Sequence, residues 1–345
     1  MKGIMRMTWQ ELFEEIKNGR LGGVYLFHGP EEYIKKSAMD KIRETILPAG
    51  LEILNESIMD APTARQLIES AETLPVMSEK RLVVVKDTPL LTGAKAKDEQ
   101  DENEKIEKWL MKGAPDTCVL IFFVRGDADK RKKLYKTLEK YAKVVSFQYL
   151  TDPEISKWIQ ARLKPKKKTM RPDAVNTLIF YAGRDLTRLQ GEVDKLSAYV
   201  GDAASIEEAD VKAAVTPNAE SNVFLMIDSL VAGKAKQAYE ILNAMMDAGE
   251  SPVALLAMFI RQLRLMTHVR LMRDENLSLA EIEKRAKLAH FVAQKVYGQT
   301  NRLSAKRLEE GYRAGVQMDY DVKSGKIRER AALDRMMLML SEISR

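Results

Sequence analysis

The stretch Val24–Ser37, VYLFHGPEEYIKKS, sets an apolar run, a glycine and a Lys-Lys pair in the order of a phosphate-binding loop. In the pattern G-x-x-x-x-G-K-[ST], backbone N–H groups cradle phosphates, the lysine reaches the terminal phosphates and the hydroxyl holds Mg²⁺. Aligned on Gly29, the pattern puts Ile34 at the second glycine, Lys35 at the lysine and Lys36 at the hydroxyl. A β-branched Ile resists the positive φ that such a loop uses, and an ammonium at position 36 repels the metal. Hydrolysis further needs a carboxylate at the end of an apolar strand. The two strands available end in Lys86-Asp87 and Arg125-Gly126-Asp127, with a cation beside or before each acid. These residues predict an ordinary strand–turn–helix with no catalytic residue, cofactor or metal. An active P-loop ATPase acting on DNA or protein partners is the competing reading.

Little else in the chain has the spacing of chemistry. His28, His268 and His290 are scattered, with no partner at metal-ligand spacing and no Ser/His/Asp set. The one cysteine, Cys118, sits in the apolar run CVLIFFV and reads as a small buried hydrophobe. With no disulfide possible within the chain, a reducing, cytoplasmic setting is expected. The N-terminus lacks an apolar signal core, and no apolar run nears the ~18 residues of a membrane span. A net charge of +6 over 345 residues permits nucleic-acid contact without arguing strongly for it.

The elements that would position these residues fall into three segments. In residues 1–149, apolar strands at 24–27, 81–86, 118–124 and 143–147 alternate with helical patterns. Thr8 and Glu11 form a capping box opening the first of them. Residues 32–46 and the TARQLIESAET stretch read as helices, and ILNES (53–57) as a short strand. The charged segment 94–105 reads as an exposed loop running into a helix through Trp109. This alternation is that of an α/β fold with a mostly parallel sheet. Residues 150–217 read as a small all-helical domain, with Asp185 capping a helix whose core stripe is Leu186, Leu189, Val193 and Leu196. Residues 218–345 read as a long-helical bundle rich in methionine, including an amphipathic helix of unusual length after Ser251-Pro252. A degenerate nucleotide-type domain followed by a small helical lid is the layout of an AAA+ ATPase. A helical bundle behind the lid suits a subunit that oligomerises through it. A helical DNA-binding regulator would leave the α/β domain unexplained.

The ordered set VYLFHGPEEYIKKSAMDKI, LPVMSEKRLVVVKD, AGRDLTRLQGEVDKLSAYVG, VFLMIDSLVAGKAKQAYEILNAMMDAGESPVALLAMFIRQLRLM and MDYDVKSGKIRERAALDRMMLML spans nearly the whole chain. Together these stretches resemble the delta-subunit family of the bacterial DNA polymerase III clamp loader, in its Gram-positive form. The closing D-x-x-x-K-S-G (Asp319, Lys323, Gly325) carries much of the likeness. Taken alone, Asp319 and Lys323 are an i,i+4 ion pair before a glycine helix stop. The resemblance implies an AAA+-like domain with no working P-loop, a lid, and a helical collar domain. It implies no ATP hydrolysis by the chain itself. It further implies a part in DNA replication: binding the beta sliding clamp, opening it and helping to load it on primed DNA. The partners implied are the clamp, the tau/gamma-type ATPase subunits and the delta-prime subunit.

The family's clamp-binding element lies between a helix and the following strand, here Thr73–Arg81. Leu74, Pro75, Val76 and Met77 put four apolar residues at a turn where polar ones are expected. An exposed anchor for a partner's pocket is one reading; folding back onto the sheet is the other. Many members carry a Phe in this tip, and Val76-Met77 in its place leaves the anchor position open by one residue. Two basic runs are candidate phosphate contacts. Lys130, Arg131, Lys132, Lys133 and Lys136 are expected on one helix, and Lys164, Lys166, Lys167, Lys168 and Arg171 in one connector. A solvated surface is the alternative for each, since neither has interleaved aromatics.

Overall fold

The structure, a computed structural model, describes residues 6–94 and 98–343. Residues 95–97 of the charged segment, the first five residues and the end of the last expected helix lie outside the described residues. The chain divides into two compact units, Met1–Leu150 and Thr151–Arg345.

In the first unit, strands β1 (Arg6–Thr8), β2 (Gly23–His28), β3 (Glu56–Asp60), β4 (Arg81–Lys86), β5 (Cys118–Phe123) and β6 (Lys143–Ser146) form one sheet in the order β1-β6-β2-β5-β4-β3. Every pairing is parallel. Leu82, Val83, Val84, Leu120, Ile121 and Phe122 are almost wholly buried, which is why β4 and β5 read as continuous apolar runs rather than alternating ones. The connecting helices are α1 (Trp9–Lys17), α2 (Glu32–Ile46), the single turn α3 (Glu52–Asn55), α4 (Ala64–Glu72), α5 (Glu99–Lys112) and α6 (Lys133–Tyr141). The Thr8–Glu11 capping box opens α1, and a second, Thr63 with Gln66, opens α4. Two expectations are corrected here. The strand expected over ILNES starts only at Glu56, because Ile53–Asn55 close a helical turn first. The charged segment joins α5 from Glu99 on, with Glu99, Asp101 and Glu102 in the first turn, where the helix dipole favours acids.

The second unit contains α7 (Asp152–Leu163), α8 (Pro172–Ala182), α9 (Leu186–Tyr199), α10 (Glu208–Ala214), α11 (Ala219–Val231), α12 (Ala235–Asp247), α13 (Pro252–Asp274), α14 (Leu279–Ala286), α15 (His290–Gln299), α16 (Ala305–Lys323) and α17 (Glu329–Ile343). It departs from the all-helical expectation: β7 (Thr169–Met170) and β8 (Ser205–Ile206) pair in parallel. Asp185 accepts the Arg188 N–H as the cap of α9, and the stripe Leu186, Leu189, Val193, Leu196 is buried. The long helix α13 is not simply amphipathic. Leu255, Phe259, Leu263 and Met266 are buried, and Met258, Ile260, Leu265 and Met272 also pack on the core, so apolar residues run around it. Gly315 of α16 lets that helix approach α13: a Cβ there would lie 2.9 Å from Ile260 Cγ1. Met226, Met245, Met266, Met336 and Met337 are core residues, the role expected of flexible thioethers.

Candidate functional site: a closed loop and an open tip

The loop after β2 lies at the carboxyl edge of the sheet, where open α/β sheets bind their ligands. Its backbone is committed to the protein. Gly29 N–H donates to Gly126 O at 2.7 Å, Glu31 N–H to Phe147 O at 3.0 Å and Phe147 N–H to His28 O at 2.8 Å. Gly29 has φ +122°, and a Cβ on it would lie 2.2 Å from Phe147 O. Only glycine allows that approach, so packing explains this residue without a phosphate.

The helix that follows is closed in the same way. The Glu31 carboxylate accepts Tyr33 N–H at 3.2 Å, and the Glu32 carboxylate accepts Gly126 N–H at 3.1 Å. The positive end of α2 therefore meets carboxylates of its own chain, which disfavour an incoming polyphosphate. Ile34 is buried. Lys35 is fully buried, its ammonium 2.6 Å from Glu32 Oε1, 2.8 Å from Val124 O and 5.1 Å from the centre of the Phe123 ring. An ammonium has three donors; two are bonded and the ring covers the cation. Lys36 points to solvent on α2.

The strand-end acids are likewise engaged. Asp87 accepts the Arg125 side chain at 2.6 Å and the Arg125 backbone N–H at 2.8 Å. Asp127 lies 3.5 Å from His28, whose pKa is lowered because the ring is buried. No group of three or more metal-ligating side chains occurs among the described residues. Cys118 is buried, and that burial pushes its thiol up to about 11.

The tip between α4 and β4 is the opposite case. Leu74 is 73% exposed, Val76 45% and Met77 85%, with Pro75 partly covered. The apolar side chains do not fold back onto the sheet. The backbone beneath them is fixed. Thr73 caps the end of α4 through its hydroxyl on Glu69 O at 2.7 Å, and Ser78 Oγ donates to Lys80 O at 2.9 Å. The Lys80 ammonium donates to Leu21 O. Met77 holds a left-handed φ of +51°, a conformation costing a non-glycine residue of order 1 kcal/mol or more. Beside the tip, Ile53 is 94% exposed and Leu54 52%. Sequence reading missed this pair, since it expected a strand there; two adjacent apolar residues on a single polar-flanked turn were the available signal.

The basic runs are mostly neutralised. Lys130 and Arg131 precede α6 and Lys132 only caps it, so the expected single basic helix carries Lys133 and Lys136 but not these three. Lys132 binds the Glu99 carboxylate at 3.0 Å, and Lys133 lies 3.9 Å from both Glu104 and Glu107. Arg131 forks onto Asp129, holding that carboxyl down at about 2. In the second unit Lys166 binds Asp194 at 2.6 Å, and Lys168 donates to Gly201 O and to Ala203 O at 2.8 Å. Lys164 and Lys167 are exposed.

The sheet order, with β2 between β6 and β5, and the helical unit that follows in the chain define an AAA+-like protein whose loop after β2 is filled by its own side chains. The comparisons with known proteins give the family. Residues 25–148 match the family described as DNA polymerase III, delta subunit, and residues 220–340 its C-terminal domain. The chain is 27% identical over 333 residues to the DNA polymerase III subunit delta of Bacillus subtilis, covering 96% of each chain. It is 24% identical over 276 residues to that of Escherichia coli, covering 77% of this chain and 76% of the other. A solved Bacillus subtilis DNA clamp loader delta protein superposes with a TM-score of 0.62 at 26% identity, covering 97% of this chain and 99% of that one. The chain belongs to the DNA polymerase III delta subunit family.

Proposed function

We propose that this chain is the clamp-binding subunit of a DNA polymerase III clamp loader. In this reading it holds the beta sliding clamp through Leu74, Pro75, Val76 and Met77 and biases the ring toward its open form. Tau/gamma-type subunits supply the ATP hydrolysis, a delta-prime subunit completes the complex, and the clamp is set on primed DNA in the cytoplasm. The observation that carries the reading is the tip: three apolar side chains held outward on a loop pinned from below. A surface of that kind is an anchor for a partner's pocket rather than a core defect. Burying each fully yields about 1.5–3 kcal/mol in the best case. A ligand shifts an equilibrium only by its differential affinity for the two states, so this is enough to bias a strained ring interface and not enough to break a large one unaided.

The chain itself neither hydrolyses ATP nor binds it tightly, because Lys35, Asp87 and the start of α2 already have partners within the protein. The collar role falls to residues 218–345, with 150–217 as the lid. Val316 and Tyr320, one turn apart on α16, and Leu338 on α17 are exposed and supply apolar area for neighbouring subunits. Of the basic residues, Lys130, Lys136, Lys164 and Lys167 are exposed and the better placed for phosphate, the others being engaged. The test is binding to a purified sliding clamp. Changing Leu74 and Met77 together to Ser is expected to weaken binding about tenfold or more, since ~1.4 kcal/mol is a factor of ten. Unchanged affinity overturns the assignment.

A further inference from the structure

Asn55 is fully buried, yet none of its amide faces the apolar core unpaired. Its Oδ1 accepts Val76 N–H at 2.7 Å, and its Nδ2 donates to Val76 O at 2.9 Å and to Leu51 O at 3.1 Å. The side chain thus grips both backbone polar groups of one residue in the tip, as a neighbouring strand would. The two segments it joins are rigid: Glu56, the next residue, pairs with Leu82 of β4, the strand into which the tip runs. The next residue on the tip side is Met77, with its left-handed backbone. Such a conformation persists only where its surroundings over-determine it.

We propose that Asn55 is a positioning residue for clamp binding, a latch that holds Val76 so that Leu74 and Met77 project outward as a preformed plug. The inference rests on the clamp-binding reading of the tip. A preformed plug binds without first ordering eight loop residues (73–80), and apparent affinity falls with the fraction of molecules in the competent shape. The latch also fixes the turn carrying Ile53 and Leu54 next to the plug.

Two measurements test this. In the unmodified protein, the Val76 amide is expected to exchange hydrogen far more slowly than those of Leu74 and Met77; equal rates mean there is no latch. In Asn55→Ala, clamp affinity is expected to fall about tenfold, mainly through a slower association rate, because closing the tip then precedes docking. Leu74→Ser/Met77→Ser, measured alongside, removes contacts and acts on dissociation. If that control binds weakly while Asn55→Ala binds as the unmodified protein does, the latch is overturned and the tip assignment stands. If both bind normally, the tip assignment falls and takes the latch with it. If Asn55→Ala loses affinity only by unfolding, seen in its melting curve, the exchange rates alone decide.

Discussion

The loop after β2 and the tip before β4 belong to the same parallel sheet and face opposite edges of it. The first follows a strand's carboxyl end and the second precedes a strand's amino end. The loop has the sequence layout of a site and the structure of a seal. Its glycine packs on Phe147, its lysine is buried on Glu32 and Val124 O, and its helix start is capped by Glu31. The tip has no chemistry in its sequence, yet it is the place where the fold leaves apolar groups outside on a fixed backbone. In the proposed reading the difference lies in what the protein leaves unsatisfied: the loop's polar groups have internal partners, and the tip's apolar groups are left outside the core.

The contrast breaks most easily in bulk. Deleting Thr151–Arg345 is expected to abolish assembly with the ATPase subunits outright while clamp binding survives, checked by co-elution. The cut at Leu150 is preferred to one at residue 217, because Phe180 packs edge-on against Phe224 and the Ser221 hydroxyl donates to Phe180 O. Next in size is Lys35→Met. In a working P-loop the lysine serves the nucleotide; here its removal strips Val124 O of a donor and is expected to lower stability by about 1–3 kcal/mol. ATP binding, followed by titration, should be as absent as before. Micromolar ATP affinity that vanishes in this variant would reverse the comparison. A smaller effect sharpens the tip's outline: Ile53→Ser with Leu54→Ser is expected to weaken clamp binding about threefold, from partial loss of contact area. The smallest concerns the interior. With its pKa raised to about 11, Cys118 stays protonated at neutral pH and buried, so a thiol reagent should not label the folded protein.

Much of the scaffold was legible because its signals are local. The bounds of α2, the Thr8 box, the Asp185 cap and the strands β4 and β5 all follow from neighbours within a few residues. What failed was set at a distance. Gly29 is required by Phe147, and Asn55 bonds Val76, twenty-one positions on. ILNES looked like a strand because one turn of helix is too short for a period to show. The basic run before α6 looked like a free cationic face because Glu99, Glu104 and Glu107 answer it from another helix. The β7–β8 pair spans two residues on each side and leaves no pattern. The tip was located through its resemblance to the family; its exposure could be known only from the fold.

The most direct test places one reporter at the tip and offers it both ligands. Glu79 is exposed beside Met77, and Cys118 is shielded, so Glu79→Cys takes a single environment-sensitive fluorophore. Adding purified sliding clamp is expected to shift its emission with saturation, whereas Mg-ATP at millimolar concentration leaves it unchanged. A silent reporter in a sample that binds clamp by an independent measure, or a saturable response to ATP, would contradict the account.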